Sequence, residues 1–542
     1  MQRSQGLPGC GGRLKPFCTA GKFLFDKERS EVRGLAVRGA GATVFTSGVG
    51  FAIQMVATIV LGRLLAPADF GVVTMVTTFS LLLTSFGLNG FTEAVIQSQE
   101  INHRLASNLF WINTAVGLLL TLGFAGAGSA LAWFFHDSRV ANASIGISAS
   151  IFLSSVGVLH LALLKRAMLF SEVSTINLIA KVLQVVVSIA LGAAGWGYWS
   201  LVVGILVYYL VISGEAWRLC QWVPGRPQRV SGTTSLIRYA THVYGHFIVN
   251  YAGLNTDNIL VGWRFHADVL GFYKRAFDLF VLPANQLLSP VGNVAVSALS
   301  RFRADPVQFK RHFLDVISIF AFLGMAISGD LTLVGKDMVR VLLGARWEES
   351  GRIFTFFGPG IGVMLVYGTH GWIHLSLGKA ERWFRWGLVD LAFTLSLFVL
   401  CLRWGPVGIA VAWSVSFWIL LLPAFWYAGK PIQLGIPATL TAIWKYVVAS
   451  LVAGISTALI CSRIPTITSL SGLQGAGIRS ALGSALFGAL YLMVVVILYG
   501  GFAPIRQVAR LSREMLPQSW SLKLSRPDEA APASRPCAVS EC

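Results

Sequence analysis

The fold is indicated by a stretch of eleven residues that occurs twice, LGRLLAPADFG at Leu61–Gly71 and VGWRFHADVLG at Val261–Gly271. The copies share glycines at corresponding positions, 200 residues apart: Gly62 with Gly262, and Gly71 with Gly271. Each copy follows a long apolar run, and six such runs lead from one copy to the other. Both copies therefore lie on the same side of a membrane. Parallel repeats of this kind are related by an axis along the membrane normal, and they predict two similar helical bundles.

The composition is typical of a membrane protein. Of the 542 residues, 55% are hydrophobic and 12% are charged, and the mean hydropathy is +0.67. Soluble domains carry roughly 25% charged residues, so this chain is neither an ordinary cytosolic enzyme nor a disordered protein. We attribute the net charge of +19 to cytoplasmic loops and not to nucleic-acid binding.

Apolar runs long enough to cross a bilayer recur throughout the chain. Each is close to the ~20 residues that a transmembrane helix needs. The runs are continuous, which excludes an alternating β-barrel pattern. We predict an all-α polytopic membrane protein with about 14 transmembrane helices, at 39–61, 70–90, 109–134, 143–164, 175–195, 197–217, 239–263, 276–299, 316–335, 353–377, 386–403, 406–428, 443–462 and 478–501.

The runs divide the chain into two six-helix lobes and four further parts. We predict an N-terminal tail (1–38), an N-lobe (39–217), a cytoplasmic linker (218–238), a C-lobe (239–428), two additional helices (443–501) and a C-terminal tail (502–542). The two tails and the even-numbered loops hold 30 of the 43 Lys and Arg residues, so the positive-inside rule places both termini in the cytoplasm. We expect a mobile N-terminal tail, and a C-terminal tail that begins with a short amphipathic helix from Ile505 to Met515.

The sequence offers no pattern of a metal or disulfide site. The seven cysteines show no CxxC spacing. Two histidine pairs, His242/His246 and His370/His374, have the i, i+4 spacing of zinc ligands, but no carboxylate accompanies either pair nearby. We expect neither a metal nor a cofactor.

Six segments resemble motifs of Wzx-type oligosaccharide flippases, in the colanic-acid-exporter branch of the multidrug/oligosaccharidyl-lipid/polysaccharide exporter superfamily. One of them, Val294–Phe302, departs from the family by having Val296-Ser297 where Phe-Pro is usual. The first ~30 residues fall outside the resemblance. The segments are Leu61–Gly71, Ala94–Ile101, Asn255–Gly262, Val294–Phe302, Val341–Trp347 and Gly405–Ala410.

This resemblance implies a transporter, not an enzyme. Family members move undecaprenyl-diphosphate-linked oligosaccharide from the inner to the outer leaflet of the bacterial cytoplasmic membrane, by alternating access to a cavity between two lobes. It also implies membrane lipids as surroundings, and a polysaccharide polymerase and glycosyltransferases as partners in exo-, capsular or O-polysaccharide synthesis.

A diphosphate and a sugar both need a polar cavity, and the diphosphate favours positive potential. Lys181 is the one basic residue deep in an apolar run; it either contacts the diphosphate or snorkels to the interface. Pro283 and Pro290 predict a kinked, cavity-lining helix, with an ordinary kink as the alternative. The cavity candidates are Lys181, Asn285, Gln286, Asn293, Gln54 and Arg264; interface anchoring is the alternative for Arg264.

Acidic residues within the runs are candidates for ion coupling: Asp257, Asp278 and Asp390. Asp257 either binds a coupling ion or pairs with Arg264, seven residues further on the same side of the helix. Asp278 and Asp390, like Asp330, lie near helix ends, so a structural role is the alternative for them.

Two other functions compete with a flippase. A cation-coupled drug exporter of the same superfamily would favour acidic residues deep in the first lobe, where we find none away from the helix ends and one lysine. A membrane polysaccharide polymerase or glycosyltransferase would need a sizeable extracytoplasmic loop, and the longest that we predict is about Lys336–Arg352.

Overall fold

The computed structural model of the protein describes residues 16–17, 23, 29–98, 101–228, 233–464 and 472–506. These residues are almost entirely helical, and the prediction of an all-α chain is confirmed. The α-helices are α1 (Arg29–Leu64), α2 (Pro67–Ser85), α3 (Thr92–Gln97), α4 (His103–Gly126), α5 (Gly128–Phe135), α6 (Arg139–Arg166), α7 (Phe170–Ala193), α8 (Tyr198–Leu219), α9 (Thr233–Arg301), α10 (Pro306–Leu343), α11 (Glu348–Gly368), α12 (His370–Ser376), α13 (Ala380–Cys401), α14 (Gly405–Gly429), α15 (Ile436–Arg463) and α16 (Gly472–Tyr499).

Among the described residues, 11 helical stretches are long and apolar enough to cross a membrane. One of them, Ala380–Ile432, contains both α13 and α14. The long helix α9 is not among the 11, because it carries many polar residues. The protein is thus a multi-pass membrane protein, and the count of fourteen crossings stays a prediction.

Helix α9 consists of two helical parts that correspond to the seventh and eighth predicted runs, and the break between them is shorter than the connection that we expected. It is interrupted at His266, whose backbone (φ 67°, ψ −177°) is not helical. Lys274 and Arg275, which we expected at the edge of a helix, lie inside the second part of α9. Their charges are tolerated there because Asp278, one turn further on, pairs with Lys274 (2.8 Å) and Arg275 (3.5 Å).

Both ends of the chain overlap with predicted tails. Helix α1 begins at Arg29, inside the segment that we predicted as a mobile tail (1–38), and the tail itself stays a prediction. Phe17 and Phe23 form an antiparallel bridge. Most of the predicted C-terminal amphipathic helix, from residue 507 onward, lies outside the described residues.

The two copies of the repeat contact each other. Gly71 of α2 lies so close to the backbone of α9 that a Cβ atom there would overlap the carbonyl oxygen of Ala267, and a Cβ atom at Gly271 would overlap that of Pro67. Only glycine permits such an approach of two backbones. The N-lobe and the C-lobe therefore meet at this end of the bundle through the repeated sequence itself.

Side-chain hydrogen bonds reinforce the same contact. Trp347 Nε1 donates to the carbonyl oxygen of Gly62 (2.6 Å), and Arg63 Nη2 donates to that of Val341 (2.9 Å). Both bonds join α1 to the end of α10 and the turn that follows it. We call this region, with the glycine contacts, the repeat seal.

The linker between the lobes is fastened to the N-lobe at the opposite end. Trp111 Nε1 donates to Gly225 O (2.8 Å), and the amide of Asn108 hydrogen-bonds the backbone of Gln228. His160 lies against Trp222 and contacts its carbonyl oxygen (3.1 Å). Residues 222–228 of the connection between α8 and α9 are thus attached to the N-lobe by hydrogen bonds.

Helices α15 and α16 pack on the C-lobe through α10. Arg479 of α16 forms a two-point ion pair with Asp337 of α10, with nitrogen–oxygen distances of 2.8 and 2.5 Å. Tyr491 donates to Phe322 O (2.7 Å), and Ser450 donates to Met325 O (2.8 Å). These contacts attach the additional helices to α10 along much of its length.

We predict that Gly271→Ala destabilises the described conformation, because its Cβ atom cannot fit against Pro67. Overpacking of this kind costs about 1–3 kcal/mol. The matched control is Gly214→Ala in α8, where no atom lies within 4 Å of the added Cβ position. The thermal unfolding midpoint of the purified protein should fall for Gly271→Ala only; equal midpoints for the two variants would contradict the close contact.

Candidate functional site

A large cavity lies between the N-lobe and the second part of α9. It has two halves, of about 470 Å³ and about 610 Å³, which share Gln54, Lys181 and Tyr208 as lining residues. We call it the central cavity. Helices α1, α7 and α8 line both halves, and α2 lines only the half nearer the repeat seal.

The half nearer the repeat seal, which we call the basic half, is rich in positive charge. Lys181, Lys274 and Arg275 line it together with one acidic residue, Asp278. Three cations and one carboxylate leave an excess of positive charge. Arg275 is further held by Phe70, whose ring centroid lies 3.8 Å from the guanidinium carbon.

The other half is lined by neutral polar side chains, and we call it the amide half. Amides and hydroxyls of this kind donate and accept hydrogen bonds without a fixed charge, as sugar hydroxyls require. They come from α1, α7 and α9: Thr43, Thr46, Ser47, Ser174, Asn177, Asn285 and Gln286.

Four of the residues predicted from the sequence to line a cavity come together here: Gln54, Lys181, Asn285 and Gln286. The side chain of Asn293 lies outside the described residues. Arg264 is exposed beside the kink of α9, with its guanidinium over Phe265, and is not among the residues that line either half. Whether these residues contact a substrate stays a prediction.

Lys181 lies midway along α7 and lines both halves of the central cavity. Within the described ranges it has neither an ion-pair partner nor a hydrogen-bond partner. A lysine in this position is available to an anion that enters the cavity.

Asp257 is buried within the C-lobe and does not line the central cavity. Its carboxylate accepts hydrogen bonds from Tyr273 Oη (2.7 Å), Trp413 Nε1 (3.1 Å) and the backbone nitrogen of Asn258 (2.8 Å). The predicted pairing with Arg264 is therefore wrong, because these three donors satisfy the carboxylate and Arg264 points elsewhere.

The C-lobe contains a cavity of its own, of about 230 Å³, between α9, α11, α12, α13 and α14. We call it the C-lobe cavity. Its walls are mainly aromatic, and its polar lining includes Asp390, Thr394, Tyr367 and His370. The other acidic candidate, Asp278, lines the central cavity and is paired there.

Sequence reasoning missed three contributors to the basic half. Lys274 and Arg275 were expected at the edge of a helix and were not named as cavity candidates, although the i, i+4 spacing of Lys274 and Asp278 is a helical signal. Gln184 lies three residues after Lys181 on the same face of α7 and also lines this half. That spacing was readable in the sequence.

Comparisons with known proteins relate the chain to polysaccharide synthesis. A family model described as "Polysaccharide biosynthesis protein" matches residues 60–352. The chain is 22% identical to the succinoglycan biosynthesis transport protein ExoT of Rhizobium meliloti (66% of this chain, 72% of that protein). It is 23% identical to the teichuronic acid biosynthesis protein TuaB of Bacillus subtilis (76% and 84%), and 21% identical to the lipopolysaccharide biosynthesis protein WzxC of Escherichia coli (57% and 62%).

Solved structures share the fold. The lipid II flippase MurJ in an inward closed conformation superposes with a TM-score of 0.70 at 14% identity, covering 84% of this chain and 98% of that one. An inward-facing multidrug resistance MATE family transporter superposes with a TM-score of 0.56 at 13% identity (71% and 94%). The fold is therefore that of a polytopic membrane transporter.

We predict that Asp257 stabilises the C-lobe through its hydrogen bonds. Asp257→Ala leaves the buried donors of Tyr273 and Trp413 unpaired, at a cost of about 1–3 kcal/mol for each group. Asp257→Asn retains an acceptor oxygen and should be clearly milder. Thermal unfolding of the purified variants measures the difference; a wild-type midpoint for Asp257→Ala would show that these bonds do not support the fold.

Proposed function

Because this chain belongs to the polysaccharide biosynthesis protein family, we propose that it is a flippase for undecaprenyl-diphosphate-linked oligosaccharide in the bacterial cytoplasmic membrane. Its cargo supplies repeat units for exo-, capsular or O-polysaccharide synthesis. The names of the curated relatives support this function, since one is a biosynthesis transport protein and two are biosynthesis proteins of bacterial polysaccharides. A polymerase and glycosyltransferases are the partners that such a pathway requires.

The observation that carries the proposal is the excess of positive charge in a cavity between membrane-embedded lobes. A diphosphate cannot cross hydrocarbon unless its charge is compensated. Lys181, Lys274 and Arg275 provide that compensation in the basic half. The charge-assisted hydrogen bonds that they offer are about twice as strong as neutral ones.

The amide half has the chemistry to hold sugars. Asn177, Asn285 and Gln286 offer both donors and acceptors, so they replace water around sugar hydroxyls without preferring one charge. The cargo therefore finds anion-binding and hydroxyl-binding surfaces in two adjoining halves that share Lys181.

Transport proceeds by rocking of the lobes. The repeat seal closes one end of the central cavity, and Trp347 and Arg63 must release their bonds to α1 and α10 when that end opens. With the positive-inside orientation, both termini are cytoplasmic and the seal lies on the outer side. The described conformation is then the one that receives cargo from the cytoplasmic leaflet.

The coupling of transport to an ion is assigned to a carboxylate that lies outside the central cavity. Asp278 is paired with Lys274 and Arg275, and Asp257 is saturated by hydrogen bonds. Asp390 lines the separate C-lobe cavity and is the remaining candidate. A cationic-drug exporter is a poorer fit, because the basic half would repel a cationic substrate.

We predict that Lys181→Ala lowers export of polysaccharide by ten-fold or more, since loss of a charge-assisted contact costs about 1.5–3 kcal/mol. Lys181→Arg should retain most activity. The control is Lys445→Ala, which removes a lysine that lies over the ring of Tyr499, away from the cavity. Polymer yield per amount of membrane-inserted protein is the measurement, and equal yields for Lys181→Ala and Lys445→Ala would remove Lys181 from the substrate path.

We also predict that deletion of the gene leaves lipid-linked repeat units on the cytoplasmic leaflet. The carrier's diphosphate and sugars cannot cross unaided, so the units accumulate where they are made. Accessibility of the units to a sugar-modifying enzyme, in inside-out versus right-side-out vesicles, measures their sidedness. Normal polymer output after deletion, in a strain with no second exporter, would refute the proposed function.

A further inference from the structure

Asp278 is the single acidic side chain among the described residues that line the central cavity. Its carboxylate spans two cations of the basic half. One oxygen lies 2.8 Å from Lys274 Nζ, and the other lies 3.5 Å from Arg275 Nη1. A phosphoryl group presents its oxygens to a pair of cations in the same way. The carboxylate therefore occupies the cations that we assign to the diphosphate of the cargo.

The ion pairs of Asp278 can be exchanged at little cost. The side chain of Asp278 is 39% exposed, and that of Lys274 is 27% exposed. Ion pairs that reach water contribute little to stability. The separation of 3.5 Å from Arg275 is also longer than the roughly 2.7–2.9 Å of a charge-assisted hydrogen bond. An anion with more charge than a carboxylate can therefore displace Asp278.

Both cations have a second support besides Asp278. Lys274 Nζ lies 5.2 Å from the ring centroid of Phe277, and the guanidinium carbon of Arg275 lies 3.8 Å from that of Phe70. The face of an aromatic ring attracts a cation. Lys274 and Arg275 therefore keep their places in the cavity wall when the carboxylate of Asp278 turns away.

The support of Arg275 crosses the repeat seal. Phe70 belongs to α2 and directly precedes Gly71, which lies against Ala267, whereas Arg275 belongs to α9. Opening of the seal separates α2 from α9, so Arg275 loses its contact with Phe70. The partner that stays with Arg275 is Asp278, one turn further along the same helix.

We propose that Asp278 is an internal competitor of the cargo. While the repeat seal is closed, the diphosphate displaces the carboxylate from Lys274 and Arg275. When the seal opens, the carboxylate takes both cations back and the diphosphate is released. The identity of the cargo rests on the proposed function, and Asp278 sets the balance between its binding and its release.

An ordinary helix-stabilising role for Asp278 predicts the opposite result. Ion pairs at i, i+3 and i, i+4 stabilise a helix slightly. If Asp278 only held Lys274 and Arg275 in place, its removal would loosen both cations and weaken anion binding. Removal of a competitor leaves the cations free and strengthens anion binding. The two roles therefore differ in the sign of the effect.

Binding of inorganic pyrophosphate to the purified full-length protein measures the competition. Isothermal titration calorimetry without magnesium, at about 0.1 M salt, compares the wild type with Asp278→Asn and Asp278→Glu. We expect Asp278→Asn to bind pyrophosphate at least about five-fold more tightly, and Asp278→Glu, which retains the carboxylate, to stay within about two-fold of the wild type. Unchanged or weaker binding in Asp278→Asn, or no binding in any of the three proteins, would overturn the proposal.

The matched control is Asp268→Asn, which makes the same chemical change on the same helix. Asp268 is exposed and is not among the residues that line either half of the central cavity. Its substitution should leave the affinity for pyrophosphate within about two-fold of the wild type, because it does not compete for Lys274 or Arg275. Equal tightening in Asp268→Asn and Asp278→Asn would reveal a general effect of net charge and would overturn direct competition.

Phe70→Leu tests the link to the repeat seal. Without the ring, Arg275 can approach Asp278, so pyrophosphate should bind about three-fold or more weakly. In the Asp278→Asn background the same substitution should have a smaller effect, because no carboxylate competes there. Thermal unfolding checks that the variants are folded. Equal fold-changes in both backgrounds would show that Phe70 acts independently of Asp278, and the link to the seal would be lost.

Export of polymer in cells measures release. Asp278→Asn should hold the diphosphate for longer, so export per amount of membrane-inserted protein should fall about two-fold or more although the affinity is higher. Asp278→Glu should export at nearly the wild-type level. Tighter pyrophosphate binding together with undiminished export in Asp278→Asn would show that Asp278 takes no part in release, which would overturn that half of the proposal.

The binding experiment needs neither a lipid nor an oligosaccharide, so its result is separate from the flippase proposal. If Asp278→Asn tightens pyrophosphate binding but deletion of the gene leaves polymer output normal, the internal competitor stands and the proposed cargo falls. If deletion strands lipid-linked units but Asp278→Asn does not tighten binding, the competitor falls and the flippase stands.

Discussion

The whole arrangement depends on one contact, in which the backbones of α2 and α9 meet without side chains between them. Gly71 lies against Ala267, and Gly271 lies against Pro67. Such a contact is short-ranged and depends on close fit, so it is either formed or absent. Lys274 and Arg275 follow Gly271 by about one helical turn, so the positive charge begins directly beside the contact. In the proposed mechanism, opening the seal exposes these cations on the outer side, where the cargo would leave.

Features that arise from hydrophobicity were readable in the sequence. Continuous apolar runs become helices because lipid offers no other partner for the backbone, and this holds for nearly every predicted run. The repeated glycines were readable as a repeat, although their physical role needed the structure, since an approach of two backbones involves residues 200 positions apart. Lys181 was also identifiable as a candidate, because lysine is rare within an apolar run, and the structure places it on the wall of the central cavity.

Features that depend on tertiary context were not readable. His266 has positive φ without being glycine, and no local signal marks that conformation. The chain is helical on both sides of this kink, so Lys274 and Arg275 lie within the second part of α9 and line the wall of the cavity. The partner Asp278 and the polar cavity make these charges tolerable within a helix. Likewise, the three donors that saturate Asp257 come partly from α14, far along the chain.

The two lobes repeat a backbone pattern but carry opposite chemistry. Lys181 lies midway along α7 in the N-lobe, and Asp390 lies midway along α13, the helix in the corresponding place of the C-lobe. One lines the basic half of the central cavity, and the other lines an aromatic cavity without a cation. In the proposed mechanism this division separates two tasks that would interfere in one place. A coupling carboxylate placed among the cargo-binding cations would cancel part of their positive charge, as Asp278 does for Lys274 and Arg275. Placing the carboxylate in the other lobe leaves the positive charge of the basic half available to an anionic cargo.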